Sequence, residues 1–244
     1  AVVFDLDGVI TSTARFHSIA WKEMFDAYLK AKFAEIVSAR GEKEAKEIEY
    51  FFRIFTHEDD YLPYVDGINR YFGVANFFAS RGFTITNAPA NYTTSDKLHT
   101  GRLQRLQNTH TAEQLLSMQK VNIQLNWKSD PNIKDDNIPG TEETAVGLGN
   151  NKQDLFQKIV KEQKADVFEG TVNLIKELKA KGIPMGIATS SKNCDFVLAN
   201  AKIEGLKSYF SSQVDGNVSA ELKLKGKPGP DIFIKAAELL GAKP

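Results

Sequence analysis

The sequence predicts an α/β protein with a Rossmann-like parallel-sheet core and an inserted helical domain. Two observations carry this prediction. The chain opens with a short apolar strand pattern, "AVVF", followed directly by a helical pattern, and the same alternation returns near its end, as is typical of a parallel sheet covered by helices. Between the two ends the patterns are helical or irregular, which indicates a second unit inserted into the first.

The elements follow in order along the chain. "AVVF" is predicted to be a buried strand that ends at Asp5, because an unbroken apolar run with β-branched residues is typical of parallel strands. Helices are predicted from Thr13 to about Lys32 and in "EKEAKEIEYFFRIF", "RYFGVANFFASRG", "AEQLLSMQKV", "KQDLFQKIVKEQ" and "TVNLIKELKAKG". "IPMGIAT" is the next strand, and helices follow in "SSKNCDFVLANA", capped by Ser190 or Ser191, and in "PDIFIKAAELLG".

The segment from about 84 to 145 has the weakest pattern. Stretches such as "TNAPANYTTSDKLHTGR" and "NWKSDPNIKDDNIPGTEET" are rich in Asn, Thr, Asp and Pro, which predicts long loops around one helix. Loops of this length often cover a binding site. We therefore expect residues 1–14 and 168–244 to form the core, and residues 15–167 to form an inserted helical domain that carries this loop-rich insertion.

The composition excludes some classes of partner. The 31 basic and 31 acidic residues balance, so the chain has no electrostatic footprint for nucleic acid or an anionic membrane. No apolar run approaches the length of a membrane span. The only cysteine, Cys194, cannot form an intrachain disulfide, and we expect a cytoplasmic protein with a buried thiol. Small anionic ligands remain compatible with this composition.

Reactive side chains follow three predicted strand ends. Asp5 and Asp7 follow the first strand, Thr189 and Ser190 follow "IPMGIA", and Lys227 lies in "LKGKPGPDIF". In an open parallel sheet, ligands bind at the carboxyl ends of the strands. A carboxylate nucleophile, a second carboxyl, hydroxyls and an ammonium together suit phosphoryl transfer to an aspartate. Such a transfer also needs a cation, and Mg²⁺, with its preference for oxygen ligands, suits Asp5 and Asp7.

Each motif taken alone also fits an ordinary structural role. The aspartate pair can be a solvated strand end, Thr189 a helix cap, and Lys227 a surface lysine. The catalytic interpretation is favoured because all three occur in this order, each at a strand end.

These motifs resemble those of the haloacid dehalogenase superfamily, within it the β-phosphoglucomutase-like family. "FDLDGVITSTARFHSIAWK" is similar to the first motif, which implies that Asp5 is the nucleophile and that Asp7 is the general acid/base and also lends its backbone carbonyl to Mg²⁺. "GIATSSKN" is similar to the second, which implies that Thr189 and Ser190 bind phosphate, with Lys192 and Asn193 beside them. "KGKPGPDIF" is similar to the third, which implies that Lys227 binds the transferring phosphate. The resemblance also implies the α/β fold with its helical cap and the use of Mg²⁺.

The resemblance assigns further residues to the cap and its hinge. "VDGINRYFGV" is similar to the cap segment that presents an arginine to a sugar phosphate, here Arg70, and "GLGNNKQDLF" to the segment that presents a lysine, here Lys152. His17 matches a hinge histidine that couples cap closure to Asp7.

The sequence departs from the family pattern at four points. Ser12 replaces a common aspartate, Asn151 a frequent basic residue, and Gln153 a common asparagine. The fourth is the family's final acidic pair, which completes the Mg²⁺ site. It should follow "AAELLGAKP", so we expect the protein to continue beyond Pro244 and to be part of a longer polypeptide.

The leading functional hypothesis is a Mg²⁺-dependent phosphotransferase that acts on a small-molecule sugar phosphate through an aspartyl phosphate. A sugar-phosphate phosphatase with the same chemistry is the alternative, with water as the acceptor. A third hypothesis, from another class, is a non-catalytic phosphosugar-binding domain of a longer protein.

Overall fold

The computed structural model describes residues 1–66, 68–93, 110–225, 227 and 229–242. The chain divides into two compact units, residues 1–17 with 157–244, here called the core unit, and residues 18–156, here called the inserted unit. The predicted division, 1–14 with 168–244 and 15–167, stays a prediction about the functional domains.

A three-stranded parallel sheet forms the centre of the core unit. Its strands are β1 (Val2–Phe4), β6 (Met185–Ala188) and β7 (Ser212–Val214), in the order β1-β6-β7. Val3 of β1 pairs with Gly186 of β6, and Gly186 in turn pairs with Ser212 of β7. Two residues each of β2 (Thr11–Ser12) and β5 (Asp166–Val167) make a short antiparallel ladder. The parallel sheet agrees with the predicted α/β core.

Helices pack on this sheet. They are α8 (Glu169–Ala180), α9 (Cys194–Ala199), α10 (Gly216–Glu221) and α11 (Asp231–Leu239), with a 3₁₀ turn at Leu206–Tyr209. Helix α11 lies against all three strands. It buries Ile232 and Ala236 against Ala188 and Val214, and burial of an isoleucine side chain contributes about 1.5–3 kcal/mol.

The inserted unit is mostly helical. Its helices are α2 (Glu42–Ile48), α3 (Leu62–Tyr64), α4 (Arg70–Ser80), α5 (Ala90–Thr93) and α6 (Ala112–Met118). Two longer helices, α1 (Ala14–Arg40) and α7 (Ala145–Gln163), contain the boundaries with the core unit. Short 3₁₀ turns occupy Glu49–Phe52 and Asp135–Asn137, and one π turn occupies His57–Tyr61.

Aromatic side chains form the centre of the inserted unit. The ring of Phe25, on α1, lies 3.8 Å from that of Phe77 and 5.4 Å from that of Phe78, both on α4, and 5.3 Å from that of Phe55. All four are buried. Such rings bury large apolar areas, so α1 and α4 are held together by this cluster.

The segment from about 84 to 145 has more structure than the prediction of long loops around one helix. β3 (Thr84–Thr86) pairs in parallel with β4 (Gln124–Asn126), and α6 confirms the predicted helix. The prediction missed the strands because each has three residues, mostly polar, and its partner lies far away in the chain. The part of this prediction that falls on residues 94–109 lies outside the described residues.

Several predicted helix ends were also wrong. Helix α1 continues to Arg40 rather than Lys32, α7 begins at Ala145 rather than Lys152, and the helix predicted from Glu42 ends at Ile48. Ser190 and Ser191 do not cap α9, which begins at Cys194 after an Asn193 that makes no side-chain cap bond. The Ser191 hydroxyl instead accepts the N–H of Asn193, the residue before the helix, at 3.1 Å.

Among the helices in the described part of the chain, none combines the length and the apolar character that a membrane span requires.

Candidate active site

Three polar side chains follow the three neighbouring strands of the core sheet. Asp5 comes directly after β1, Thr189 after β6 and Asp215 after β7. Because parallel strands end at the same edge, these residues share the carboxyl edge of the sheet. The hydrogen bonding between β6 and β7 extends to this edge, where the N–H of Thr189 donates to the carbonyl of Val214 at 2.9 Å. This edge contains two of the predicted site residues and one, Asp215, that sequence reasoning missed.

The Asp5 carboxylate is in direct contact with the ammonium group of Lys227. Its Oδ2 lies 2.5 Å from Lys227 Nζ, and its Oδ1 accepts the N–H of Leu6 at 2.8 Å. The side chains are 26% and 37% exposed, so solvent and small molecules reach this pair. The structure therefore brings together the predicted nucleophile and the predicted phosphate-binding lysine, 222 residues apart in the chain.

Asp7 is held by a tight loop between β1 and β2. The Gly8 N–H donates to the Thr11 carbonyl at 2.8 Å, and the Thr11 N–H donates to the Leu6 carbonyl at 3.0 Å. The hydroxyl of buried Thr13 donates to Asp7 Oδ1 in a short hydrogen bond. This bond fixes the orientation of the Asp7 carboxyl, and sequence reasoning did not identify Thr13 as its partner.

The loop Thr189–Asn193, here called the TSSKN loop, is organised by its own hydroxyls. The Thr189 side chain is 2% exposed, and its Oγ1 accepts the Ser191 N–H at 3.1 Å. A hydroxyl that accepts one bond still has its own hydrogen to donate. Ser190 and Lys192 are exposed, and Asn193 is half-buried with its Oδ1 3.4 Å from Gln157 Nε2.

The segment after β7 forms hydrogen bonds to the backbone carbonyls of the TSSKN loop. The Gly216 N–H donates to the Ser191 carbonyl at 3.0 Å, and Asn217 Nδ2 donates to the Lys192 carbonyl at 3.2 Å. Asp215 Oδ1 accepts the N–H groups of Asn217 and Val218, at 2.9 and 3.0 Å. Asp215 therefore shapes the segment that supports the loop. The only feature of the sequence that could have indicated Asp215 is its position as a polar residue directly after "SQV".

The predicted substrate residues of the inserted unit lie on α4 and α7. Arg70 begins α4, and its Nη2 lies 2.5 Å from Asp136 Oδ1. Lys152, on α7, is 5% exposed, and its Nζ lies 4.9 Å from the centre of the Trp21 ring and 5.2 Å from that of Phe156. Both cations are therefore bound to other side chains. His17 is half-buried in the first turns of α1 and belongs to the core unit.

The Asp5 carboxylate and the backbone carbonyl of Asp7 are oxygen donors that this edge offers to a metal ion. Among the residues that the structure describes, no three His, Cys, Asp or Glu side chains come together in a cluster that could hold a metal. Mg²⁺ binds commonly through one or two carboxylates, with water and substrate phosphate as its other ligands. These oxygen donors therefore fit Mg²⁺ in type, and other ligands, phosphate oxygens among them, would have to complete its coordination.

Comparison with known proteins identifies the family. A family model described as haloacid dehalogenase-like hydrolase matches residues 1–244. The chain belongs to this family. The chain is 34% identical over 244 residues to β-phosphoglucomutase of Mycobacterium bovis, and the match covers 100% of this chain and 70% of that protein. The resemblance to the β-phosphoglucomutase-like family is thereby confirmed.

Solved structures share the fold of this chain. β-Phosphoglucomutase from Clostridium difficile matches with a TM-score of 0.51 and 17% identity, over 99% of this chain and 71% of that one. CbbY from Rhodobacter sphaeroides, in complex with xylulose-(1,5)bisphosphate, matches with a TM-score of 0.52 and 16% identity, over 99% of this chain and 72% of that one. At these identities the likeness concerns the fold, and it confirms the predicted α/β class.

Proposed function

We propose that this chain is a Mg²⁺-dependent phosphotransferase that acts on a sugar phosphate through an aspartyl phosphate at Asp5. The observation that carries the proposal is the Asp5 carboxylate, 2.5 Å from the Lys227 ammonium at the carboxyl edge of the sheet. A carboxylate that attacks a phosphate needs adjacent positive charge, because both reactants are anionic. The 34% identity to a β-phosphoglucomutase supports a sugar phosphate as the substrate.

The first half of the proposed reaction forms the aspartyl phosphate. A bond forms between an Asp5 oxygen and phosphorus while the bond from phosphorus to the sugar oxygen breaks. Asp7 donates its proton to that leaving oxygen, and the Thr13 hydroxyl keeps the Asp7 carboxyl oriented.

The second half returns both aspartates to their starting states. Another hydroxyl of the same sugar gives its proton to Asp7 and takes the phosphoryl group from Asp5. The result is an isomeric sugar phosphate, with no net gain or loss of water.

The transferring phosphoryl group is bound by the side chains at the sheet edge. Lys227 neutralises its charge, and the hydroxyls of Thr189 and Ser190 donate hydrogen bonds to its oxygens. Mg²⁺ held by the Asp5 carboxylate and the Asp7 backbone carbonyl would supply further positive charge.

The remaining predicted residues hold the rest of the substrate. In this proposal Arg70 and Lys152 bind the part of the substrate away from the reacting bond, Lys192 and Asn193 contact it from the TSSKN loop, and His17 acts through Asp7. Exclusion of water from the reaction separates transfer to a sugar from hydrolysis.

A sugar-phosphate phosphatase is the second candidate. The description of the matching family as hydrolases favours it, and so do the departures at Ser12, Asn151 and Gln153, which alter the residues around the substrate. In this alternative, water takes the phosphoryl group from Asp5, and inorganic phosphate is released.

One assay distinguishes these candidates. The protein is incubated with Mg²⁺ and β-glucose 1-phosphate, and both glucose 6-phosphate and inorganic phosphate are followed over time. We expect glucose 6-phosphate with little free phosphate. Free phosphate as the main product would favour the phosphatase, and neither product would favour the non-catalytic binding domain.

The role of Asp5 is tested by Asp5→Asn, which keeps its shape but removes the nucleophilic charge. We expect this variant to lose turnover, whereas Asp59→Asn, at an exposed position of the inserted unit, should retain it. Turnover that survives in Asp5→Asn would refute the aspartyl phosphate at this residue. Chelation of the metal by EDTA should abolish turnover, and added Mg²⁺ should restore it.

A further inference from the structure

The ammonium group of Lys227 has an aromatic ring as a second neighbour. Its Nζ, 2.5 Å from Asp5 Oδ2, lies 5.6 Å from the centre of the Phe233 ring. A cation within about 6 Å of a ring centre is attracted to the electron-rich face of the ring. The Lys227 side chain is 37% exposed, so water competes with both partners. The ion pair and the ring contact therefore both contribute to where the ammonium lies.

Phe233 is fixed on the core sheet. It lies in the first turn of α11, where its N–H donates to the Pro230 carbonyl at 3.0 Å. The ring is half-buried and packs against the apolar cluster that contains Ala188 and Val214. These two residues are the last of β6 and β7. The ring is thus anchored at the carboxyl edge of the sheet, where the candidate site lies.

The same turn of α11 also binds the backbone close to Lys227. Asp231 is the first residue of the helix, and its Oδ2 accepts the N–H of Lys225 at 3.0 Å. Lys225 precedes Lys227 by two residues. The first turn of α11 therefore contacts this lysine segment twice, at the backbone before Lys227 and at the ammonium group at the end of its side chain.

The two neighbours of the ammonium differ in what happens to them during the proposed reaction. The Asp5 carboxylate loses its charge when it forms the bond to phosphorus, and the negative charge then lies on the phosphoryl oxygens. The attraction between Lys227 and the Asp5 carboxylate therefore changes within each cycle. The attraction of the Phe233 ring stays the same, because the ring takes no part in the bond changes.

We infer that Phe233 is a positioning residue that keeps the Lys227 ammonium at the transferring phosphoryl group throughout the reaction. The inference rests on the proposed function for the ligand of Lys227. A lysine side chain is flexible and loses rotamer freedom when its ammonium is fixed. The ring lowers this cost, because it restricts the ammonium before a phosphate binds. Displacement of a positioned group by about 1 Å slows a reaction, so the ring should affect the rate.

Nuclear magnetic resonance tests the contact without any turnover. Protons above a ring face are shifted upfield by its ring current, and those on Cε of Lys227 are assigned by their absence in Lys227→Arg. We expect the shift in the native protein, in Phe233→Tyr and in Asp5→Asn, and its loss in Phe233→Leu. A shift that is absent in the native protein, survives in Phe233→Leu or vanishes in Asp5→Asn would show that the ring does not hold the ammonium.

Fluorinated phenylalanines separate the charge of the ring face from its packing. Mono-, di- and trifluorinated phenylalanine, incorporated at position 233 alone, withdraw electron density from the ring face in steps and keep its shape. We expect kcat/KM for β-glucose 1-phosphate with Mg²⁺ to fall at each step, about fivefold over the series. The free energy of unfolding in urea should stay unchanged, and Phe233→Tyr, which keeps the ring face, should turn over as the native protein does.

The matched control is the same series at Phe168, which is 41% exposed in the core unit. There, kcat/KM should show no trend with the number of fluorine atoms. A flat series at position 233, or an equal trend at Phe168, would assign Phe233 to packing alone and overturn the inference.

The two measurements separate this inference from the proposed function. The ring-current shift does not depend on turnover. A protein that shows the shift in the expected variants but converts no sugar phosphate would refute the proposed function alone, and the placement of the ammonium by the ring would stand. Turnover with a flat fluorine series, or without the ring-current shift, would refute the role of Phe233 alone.

Discussion

Gly216 is a single residue on which the shape of the candidate phosphate site depends. A Cβ at this position would lie 2.6 Å from the Ser190 carbonyl and 3.0 Å from Lys192 Cγ. The first of these distances is to backbone, which cannot rotate away as a side chain can. Any larger residue must therefore move the TSSKN loop away from the end of β7.

We expect Gly216→Ala to raise the KM for a sugar phosphate about tenfold or more, because displacement of a positioning group by about 1 Å is costly. Gly170→Ala is the control, since a Cβ there meets nothing within 4 Å. It lies in α8, where alanine in place of glycine should stabilise by about 0.4–1 kcal/mol. Steady-state kinetics and urea unfolding of both variants check this. An unchanged KM in Gly216→Ala would show that the loop tolerates the shift.

At the scale of elements, Arg81 joins the end of α4 to the segment after α2. Its Nη2 lies 2.9 Å from both carboxylate oxygens of Asp60, and its Nη1 donates to the carbonyls of Phe51 and Arg53 at 3.2 and 2.9 Å. Both charged side chains are fully buried. Burial lowers the pKa of Arg81 to about 10, an effect that Asp60 opposes, so the guanidinium stays charged at neutral pH.

Removal of Arg81 would leave the buried Asp60 carboxylate with only the more distant cation Arg53, whose Nη2 lies 3.7 Å from Asp60 Oδ1, and the N–H of Thr56. We expect Arg81→Met to lower the free energy of unfolding by about 3–5 kcal/mol. The control is Lys120→Met, which breaks the Lys120–Glu47 pair, 60% and 49% exposed, and should lower the free energy of unfolding much less than Arg81→Met does. Urea unfolding gives both values. Equal effects of the two substitutions would contradict the importance of burial.

Elements with a strong local pattern could be predicted from the sequence, whereas those made by distant pairing could not. The unbroken apolar run of β6 and the periodic apolar face of α11 predicted both correctly. By contrast, β7 has a three-residue sequence, "SQV", without a pattern of its own, and becomes a strand by pairing with β6. The β3–β4 pair was missed for the same reason.

The same distinction applies to the residues of the candidate site, some of which could be predicted from local motifs and some of which could not. Asp5, Asp7, Thr189 and Lys227 stand in motifs that could be recognised, although the contact between Asp5 and Lys227 spans 222 residues. Asp136 could not be predicted. It is an exposed aspartate in a polar loop, and its ion pair with Arg70, 66 residues away in the chain, exists only because folding brings the two together.

At the scale of the whole molecule, each unit has its own hydrophobic cluster and its own spectroscopic reporter. The cluster around Phe25 and Phe77 lies wholly in the inserted unit, and the cluster of Ile232 and Val214 lies wholly in the core unit. Both tryptophans, Trp21 and Trp127, belong to the inserted unit, and the single cysteine, Cys194, belongs to the core unit. Fluorescence and thiol reactivity therefore report different units.

Cys194 is a suitable reporter because it should be unreactive in the folded core unit. Its side chain is fully buried. Burial raises the pKa of the thiol to about 12, and the negative charges of Asp215 and Asp195 add to the shift. Thiolate is the reactive form, so modification at neutral pH should require local or global opening.

We expect the two probes to separate the units during unfolding in urea. Arg81→Met weakens the inserted unit, so the fluorescence midpoint should fall further than the midpoint for thiol exposure. Ile232→Ala removes buried methyl groups of the core unit, at a cost of about 2–5 kcal/mol, so it should shift thiol exposure further than fluorescence. If both probes move together in both variants, the chain unfolds as one cooperative system despite its two clusters. If the fluorescence midpoint falls further in Arg81→Met and the thiol-exposure midpoint falls further in Ile232→Ala, each cluster stabilises its own unit.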